Sequence, residues 1–343
     1  MAGSNVKIRN SKLDNIKGVL IILVVLGHLL ELDMEYGINR ILYVIIYSFH
    51  MPVFVFVSGY FANFSIKRTL KKLLYPYILF QILYLLFARH VLDLDNLIQF
   101  TTPYWLLWYL WAMVIWTLMI PLIKNGKIEQ KAIMLLLATI VAITIGYVSV
   151  IGRIFSLSRI FVFFPFFMCG YYAKEWNSKE VNRVNIQSIL KTYKTLIILV
   201  LCICIIGIIG YCMGQYRVID RNWLYEAVSY QDGAYTIKFR ILHLSVGVVW
   251  LLFLLVIIPN KNIPILTHIG INTMPIFLMH GFIIKMIGKY KILNQWKGFE
   301  YIGLFFLLST TVLLLSSKTA CKIFKNLITI PDRLGKIIVP TQS

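Results

Sequence analysis

The feature that most constrains this chain is a series of apolar stretches, each about 20 residues long, that recur from end to end with short polar connectors between them. About 20 apolar residues in helical form cross the hydrocarbon layer of a bilayer. Spans are expected near 16–35, 40–62, 70–89, 103–123, 131–151, 155–174, 194–214, 240–259, 264–286 and 300–323. The break around Gly152 and Arg153 is the least sharply marked. Composition agrees, since 59% hydrophobic and 14% charged residues lie far from the soluble average of about 45–50% apolar and 25% charged. No polar segment is long enough to build a separate soluble domain. The expected fold is therefore all-α, a polytopic integral membrane bundle of about ten transmembrane helices forming one domain over 1–343, with short tails at about 1–15 and 324–343.

The net charge of +20 does not point to nucleic acid, because the basic residues sit between apolar runs rather than on a soluble face. They sort by side instead. With the N-terminus in the cytoplasm, 22 of the 34 Lys and Arg residues fall in inner segments and 12 in outer ones, the bias of the positive-inside rule. Ten spans put both termini on that same side, so a multi-pass protein of the plasma (cytoplasmic) membrane with both termini cytoplasmic is expected. The basic N-terminus precedes an apolar run without a small-residue cleavage pattern, which reads as a retained signal anchor. Cys169, Cys202, Cys204, Cys212 and Cys321 fall in or beside apolar runs with no partners at zinc spacing, so they read as small core hydrophobes and no metal site is expected.

Ionisable groups inside spans are expensive and mark function by default. Lys17 lies at the inner boundary of the first span, and His28 follows eleven residues later, about 16 Å deeper at 1.5 Å per residue. His50 lies about ten residues into the second span from Arg40, so an antiparallel neighbour brings it to a similar depth. Glu31 shares a helix face with His28 and is placed to orient its imidazole, as a carboxylate does in a catalytic triad. His28 reads either as a general base or as a hydrogen-bonding partner of a neighbouring helix; for His243, His268 and His280 the second reading is preferred. Asp14 stands three residues before Lys17 and neutralises or positions it. Arg68, Lys71 and Lys72 follow the second span at helical spacing, either as an inner anchor or as a clamp for phosphates such as those of coenzyme A. Arg153 and Arg159 flank the sixth span, to bind an anionic or hydroxyl-rich acceptor or to snorkel to the interface. The longest outer connector, about 215–239, carries Tyr216, Trp223, Tyr225, Tyr230 and Tyr235. Such rings either stack on sugars or form an interfacial belt. There is no GxSxG elbow, P-loop, GxGxxG or HExxH.

The stretches LDNIKGVLIILVVLGH and SFHMPVFVFVSGYF, then RTLK and LLYPY, resemble the membrane acyltransferase-3 family, especially its fucose 4-O-acetylase-like polysaccharide O-acetyltransferases. WYLWAM, RIFVFFPFFMCGYY and INTMPIFLMHGF extend the likeness over most of the chain. The family's basic residue, usually Arg, ten residues and then His read here as Lys17 and His28. Its RxxR reads as Arg68 and Lys71, and its SG as Ser58 and Gly59. The resemblance implies an O-acetyltransferase that takes acetyl from cytoplasmic acetyl-coenzyme A, with no metal, to a hydroxyl of a cell-surface polysaccharide or its lipid-linked precursor. A stand-alone enzyme is expected, its partners being the donor, a carbohydrate acceptor and the bilayer, with no nucleic acid and with homo-oligomerisation left open. On this reading Lys17, Arg68, Lys71 and Lys72 hold the donor, and His28, steered by Glu31, serves as base or covalent relay. His50 or Ser58 stabilises the oxyanion, and Arg153, Arg159 and Trp223 meet the acceptor. The rival is a glycolipid or solute transporter that uses the same buried polar residues as a pathway.

Overall fold

The computed structural model describes residues 10–34, 37–94, 101–152, 154–178, 180–296 and 298–330, without the side chains of 177–191. Among the described residues, eight helices are long and apolar enough to cross a membrane: α1 (Ser11–Leu30), α2 (Gly37–Phe61), α3 (Ile66–His90), α4 (Trp105–Ile123), α5 (Ile128–Tyr147), α6 (Ile154–Trp176), α7 (Thr192–Gln215) and α8 (Ile237–Ile257). Two bent pairs bring the number to ten if each is one span: α9 (Pro264–Ile271 with Thr273–Lys289, bent by 81°) and α10 (Glu300–Ser316 with Lys318–Ile328, bent by 56°). The chain is thus an all-α polytopic membrane bundle. In α1, α2, α4 and α6 more than half of the apolar stretch is buried inside the protein, whereas α5 and α7 stand at the periphery.

The first span differs from its expected bounds at both ends. It starts at Ser11, capped by the Asn10 side chain, which accepts from the Leu13 N–H at 3.3 Å. Polar residues in its first turns are paired by protein rather than exposed to lipid. Asn15 donates to the Lys261 carbonyl at 2.9 Å and accepts from the Thr267 hydroxyl at 2.6 Å, and Lys17 pairs with Asp14 at 2.8 Å. The span stops at Leu30, which leaves Glu31 at its C-terminal cap. The connector expected at about 175–193 is helical as well: one helix runs to Ser178, and Glu180–Gln215 continues 36 residues into α7.

Prolines explain the irregular turns. Pro52 has no N–H to offer the Ser48 carbonyl four residues back, and its ring crowds that carbonyl. Accordingly α2 is helical over Gly37–Tyr47 and His50–Phe61 with a break at Ser48 and Phe49. Pro76 has the same effect on the Lys72 carbonyl, and a π-turn over Leu70–Leu74 absorbs it inside α3. In α9, Pro275 follows the 81° bend closely. The second half of α10, Lys318–Ile328, sets Lys318, Lys322 and Lys325 against Ile323, Phe324 and Leu327, the amphipathic form suited to a membrane surface.

Helices α2 and α6 pack in close backbone contact, where Gly59 meets the Phe167 carbonyl and Gly170 meets the Phe56 carbonyl. A Cβ at either glycine would overlap that oxygen, so the helices approach as closely as backbones allow. Gly170→Ala is expected to destabilise the bundle by about 1–3 kcal/mol through overpacking. Gly207→Ala, where nothing lies within 4 Å, should melt at or slightly above the wild-type temperature. Thermal unfolding in detergent compares the two.

Candidate functional site

Three cavities follow one another through the bundle and share walls. The first, of about 270 Å³, lies at the end where α1 starts and α2 finishes, and is lined by Lys17, Ser58, Arg68, Lys72, Tyr109 and Phe277 among others. The Lys17 ammonium is held there by Asp14 and rests over the Phe61 ring at 4.8 Å. Ser65 caps the start of α3 by accepting from the Arg68 N–H at 3.3 Å. Lys71, expected beside these residues, is exposed and does not line the cavity. The π-turn over Leu70–Leu74 contains it and breaks the helical register on which that grouping rested.

Tyr109 and Phe277 separate this space from a second, of about 80 Å³, that holds His28, Glu31, His50 and Arg159. The partition is fixed at several points. The hydroxyls of Tyr109 and Ser58 are hydrogen-bonded to each other, and the Tyr109 ring meets Phe54 and Phe277 edge-on at 5.5 and 5.2 Å. The third cavity, of about 280 Å³, is lined by Arg159, Arg221, Asn222, Trp105 and Tyr225 at the opposite end; Trp105, Arg159 and Tyr225 line the second as well.

In the middle chamber Glu31, one turn beyond His28, accepts from the imidazole Nδ1 at 3.2 Å through Oε2. Its Oε1 accepts from the phenols of Tyr47 at 2.5 Å and Tyr225 at 2.7 Å. Burial, then the neighbouring Glu31 charge, holds the Tyr225 phenol well above the ordinary tyrosine range, so it stays a donor. With Nδ1–H committed to the carboxylate, His28 Nε2 keeps its lone pair and has no partner among the described residues. His28 packs against Trp105 at 4.6 Å and stacks on His280 at 5.5 Å.

His50 lies in the same chamber with the Tyr47 ring 4.7 Å away, and its Nδ1–H donates to the Ile46 carbonyl at 2.8 Å. The Ser58 hydroxyl donates to the Phe54 carbonyl at 2.8 Å. Each has thereby spent its donor on backbone, and neither has one to offer a developing negative charge while His50 is neutral. Arg159 does. Its guanidinium sits over Trp108 at 4.9 Å and Tyr225 at 5.6 Å, and its Nε donates to the Tyr225 carbonyl at 2.9 Å. Trp223 lines none of the three cavities; its indole donates to the Gly233 carbonyl at 2.6 Å and packs with Tyr235 and Phe239. Arg153 lies outside the described residues.

A second buried carboxylate supports the first. Glu226, fully buried in a left-handed backbone conformation with φ of 53°, lies 2.7 Å from Arg240 Nε and accepts from His243 Nδ1 at 2.7 Å. His243 Nε2 lies 3.3 Å from the Tyr47 carbonyl. Tyr225 and Glu226 are chain neighbours, so the 215–239 loop is clamped at the point where it reaches into the chamber. Helical spacing gives no sign of Tyr47, Glu226 or Arg240, and the sequence marks Tyr225 only as one ring of the outer connector, because each meets its partner across separate elements.

A family model described as an acyltransferase domain matches residues 10–318, nearly the whole chain. Nodulation protein NolL of Sinorhizobium fredii is 46% identical over 65 residues, a stretch covering 18% of this chain and 18% of that protein. No solved structure matches.

Removing one member of a buried charge cluster strands the others. Glu226→Ala should therefore cost about 3–5 kcal/mol, and adding Arg240→Leu should restore part of the loss. Denaturant unfolding in detergent micelles measures both.

Proposed function

The chain belongs to the acyltransferase-3 family of membrane acyltransferases, and from that premise we propose that it moves acetyl from acetyl-coenzyme A to a hydroxyl of a cell-surface polysaccharide or its lipid-linked precursor. The observation that carries this reading is the file of three cavities with a basic mouth, a His–carboxylate centre and a second, arginine-bearing mouth. The bias of Lys and Arg toward the first end supports placing it, and both termini, in the cytoplasm of a cell-limiting membrane.

Lys17, Arg68 and Lys72 offer charge to the donor's phosphates, Arg as a planar fork and Lys as point charges. The thioester arm then passes the Tyr109–Phe277 partition into the chamber. The acceptor enters from the opposite mouth past Arg159. His28 Nε2 takes the proton from the acceptor hydroxyl as its oxygen bonds to the thioester carbonyl carbon. The charge that develops on the carbonyl oxygen is met by the permanent positive charge of Arg159, which lines the chamber with His28; His50 and Ser58 direct their own donors to backbone carbonyls. Collapse breaks the carbon–sulfur bond, and the thiolate leaves with the proton that His28 carried. Glu31, braced by Tyr47 and Tyr225, keeps the imidazole in the tautomer this requires. A pathway that only moved a solute would have no use for so tightly specified a tautomer.

Purified protein in proteoliposomes, supplied with labelled acetyl-coenzyme A and a glycan acceptor, tests the reading by mass spectrometry. His28→Ala should lower turnover by about 10²–10⁴-fold in protein that still folds, with a lowered melting temperature because Glu31 loses one of its three partners. Wild-type rates in that variant would sink the assignment. In Arg68→Ala/Lys72→Ala, the KM for acetyl-coenzyme A should rise with kcat little altered, the pattern of lost uniform binding. An unaltered KM would remove the phosphate clamp.

A further inference from the structure

A fourth cavity, of about 410 Å³, lies outside this file, in a groove between α2, α7 and α8. Its walls include Val44, Gly207, Ile208, Leu224, Phe239 and Val246, and Gly207 would leave open space even around an added Cβ. The volume is that of a ligand pocket. Three of its four hydroxyl or imidazole side chains are satisfied from within the protein. Ser48 donates to the Ile45 carbonyl at 2.7 Å, Ser245 donates to the Ile241 carbonyl at 2.8 Å, and His243 is engaged by Glu226 and by the Tyr47 carbonyl. Apart from the phenol of the exposed Tyr211, the surface left to an occupant is hydrocarbon-like, and a sugar or other polar solute placed there would lose most of its hydrogen bonds to water without replacement.

The groove also has an address. It runs from the middle of α2, α7 and α8 toward the end where the third cavity opens, and at that end Arg40, Arg217 and Arg221 gather. Arg40 donates to the Tyr216 carbonyl at 2.8 Å, and the exposed Arg217 donates to the Tyr216 hydroxyl at 2.9 Å. The nearby acid, Asp220, is committed to capping the short helix Arg221–Tyr225, its carboxylate accepting from the Asn222 N–H at 2.7 Å. That helix is a party wall. Leu224 lines both the groove and the His28 chamber, while Arg221, Asn222 and Tyr225 line the third cavity. A helix is only about 10–12 Å across with its side chains, a distance that a head group crosses.

We infer that the groove is the seat of the acceptor's own anchor: the acceptor is a long-chain lipid whose sugar is joined through phosphate. The hydrocarbon chain lies along Gly207 and Val246. The phosphate meets Arg217 and Arg221, and the sugar reaches past Arg159 to His28. This rests on the acetyl-transfer reading above and narrows its acceptor from any surface polysaccharide to a lipid-linked one.

The test uses full-length protein in phosphatidylcholine vesicles with a polyprenyl phosphate hexose carrying a diazirine in its chain. Photolabelling is expected on the groove segments of α7 and α8. Gly207→Trp, which fills the groove, should suppress it about tenfold, equivalent to losing the burial of fewer than two methylene groups. Gly210→Trp, on the same helix but outside the groove and equally unhindered, should label like wild type. The inference is overturned if diazirine-bearing phosphatidylcholine labels the same segments equally well, or if Gly207→Trp changes nothing. Acetylation of the lipid-linked hexose should exceed that of the free hexose at equal concentration, and equal rates overturn the inference. The two readings part cleanly: groove labelling without acetylation of either hexose supports the groove and defeats acetyl transfer, whereas acetylation without groove labelling does the reverse.

Discussion

The carboxylate of Glu31 holds three partners at once, the His28 imidazole at 3.2 Å and the phenols of Tyr47 and Tyr225 at 2.5 and 2.7 Å. An acid buried this deeply in an apolar bundle persists only when its acceptor sites are filled. Filling them draws together the end of α1, the middle of α2 and the 215–239 loop. The arrangement of the chamber follows from that requirement. The helix that carries His28 stops one turn later, α2 brings Tyr47 up just before its proline break, and the loop descends to present Tyr225.

Glu226 extends the same logic one residue along the chain. It is paired with Arg240 and His243, and His243 faces the backbone carbonyl of the very tyrosine whose phenol serves Glu31. Tyr47 therefore belongs to both clusters, by its side chain to one and by its backbone to the other. Networks joined in this way polarise and rigidify each other in a low-dielectric interior. They also explain how a loop of 21 residues between α7 and α8 contributes a fixed wall, in Tyr225 and Leu224, to a chamber otherwise built from helices.

Much of this was legible in the residues. Ten apolar stretches anticipated the eight helices and two bent pairs found among the described residues, because transfer to lipid is governed by composition over a window and tolerates errors of a few residues. The His28–Glu31 contact followed from helical spacing, which survives because both lie at the end of one regular helix. Lys71 shows the opposite case: the π-turn demanded by Pro76 altered the register, and Lys17, Arg68 and Lys72 meet without it. His280 was read only as a structural histidine, yet it stacks on His28 from a helix some 250 positions further along the chain. Spacing within a helix carries no information about such a pairing. The donor status of His50 and Ser58 was equally hidden, since it depends on backbone carbonyls left accessible where helices bend or side chains fold back.

The partition formed by Tyr109 and Phe277 bears on a problem unrelated to group transfer. A protein with a basic vestibule at one end and an arginine-bearing one at the other is, in outline, a pore, and a pore open at both ends would discharge the ion gradients that its membrane maintains. The rings meet edge-on at 5.2 Å, and the chamber behind them holds only about 80 Å³, room for a few waters rather than a hydrated ion with its shell. In this conformation the molecule is an insulator. A long, thin, flexible arm that displaces those rings would plug the gap it makes, so that the passage stays electrically closed while in use.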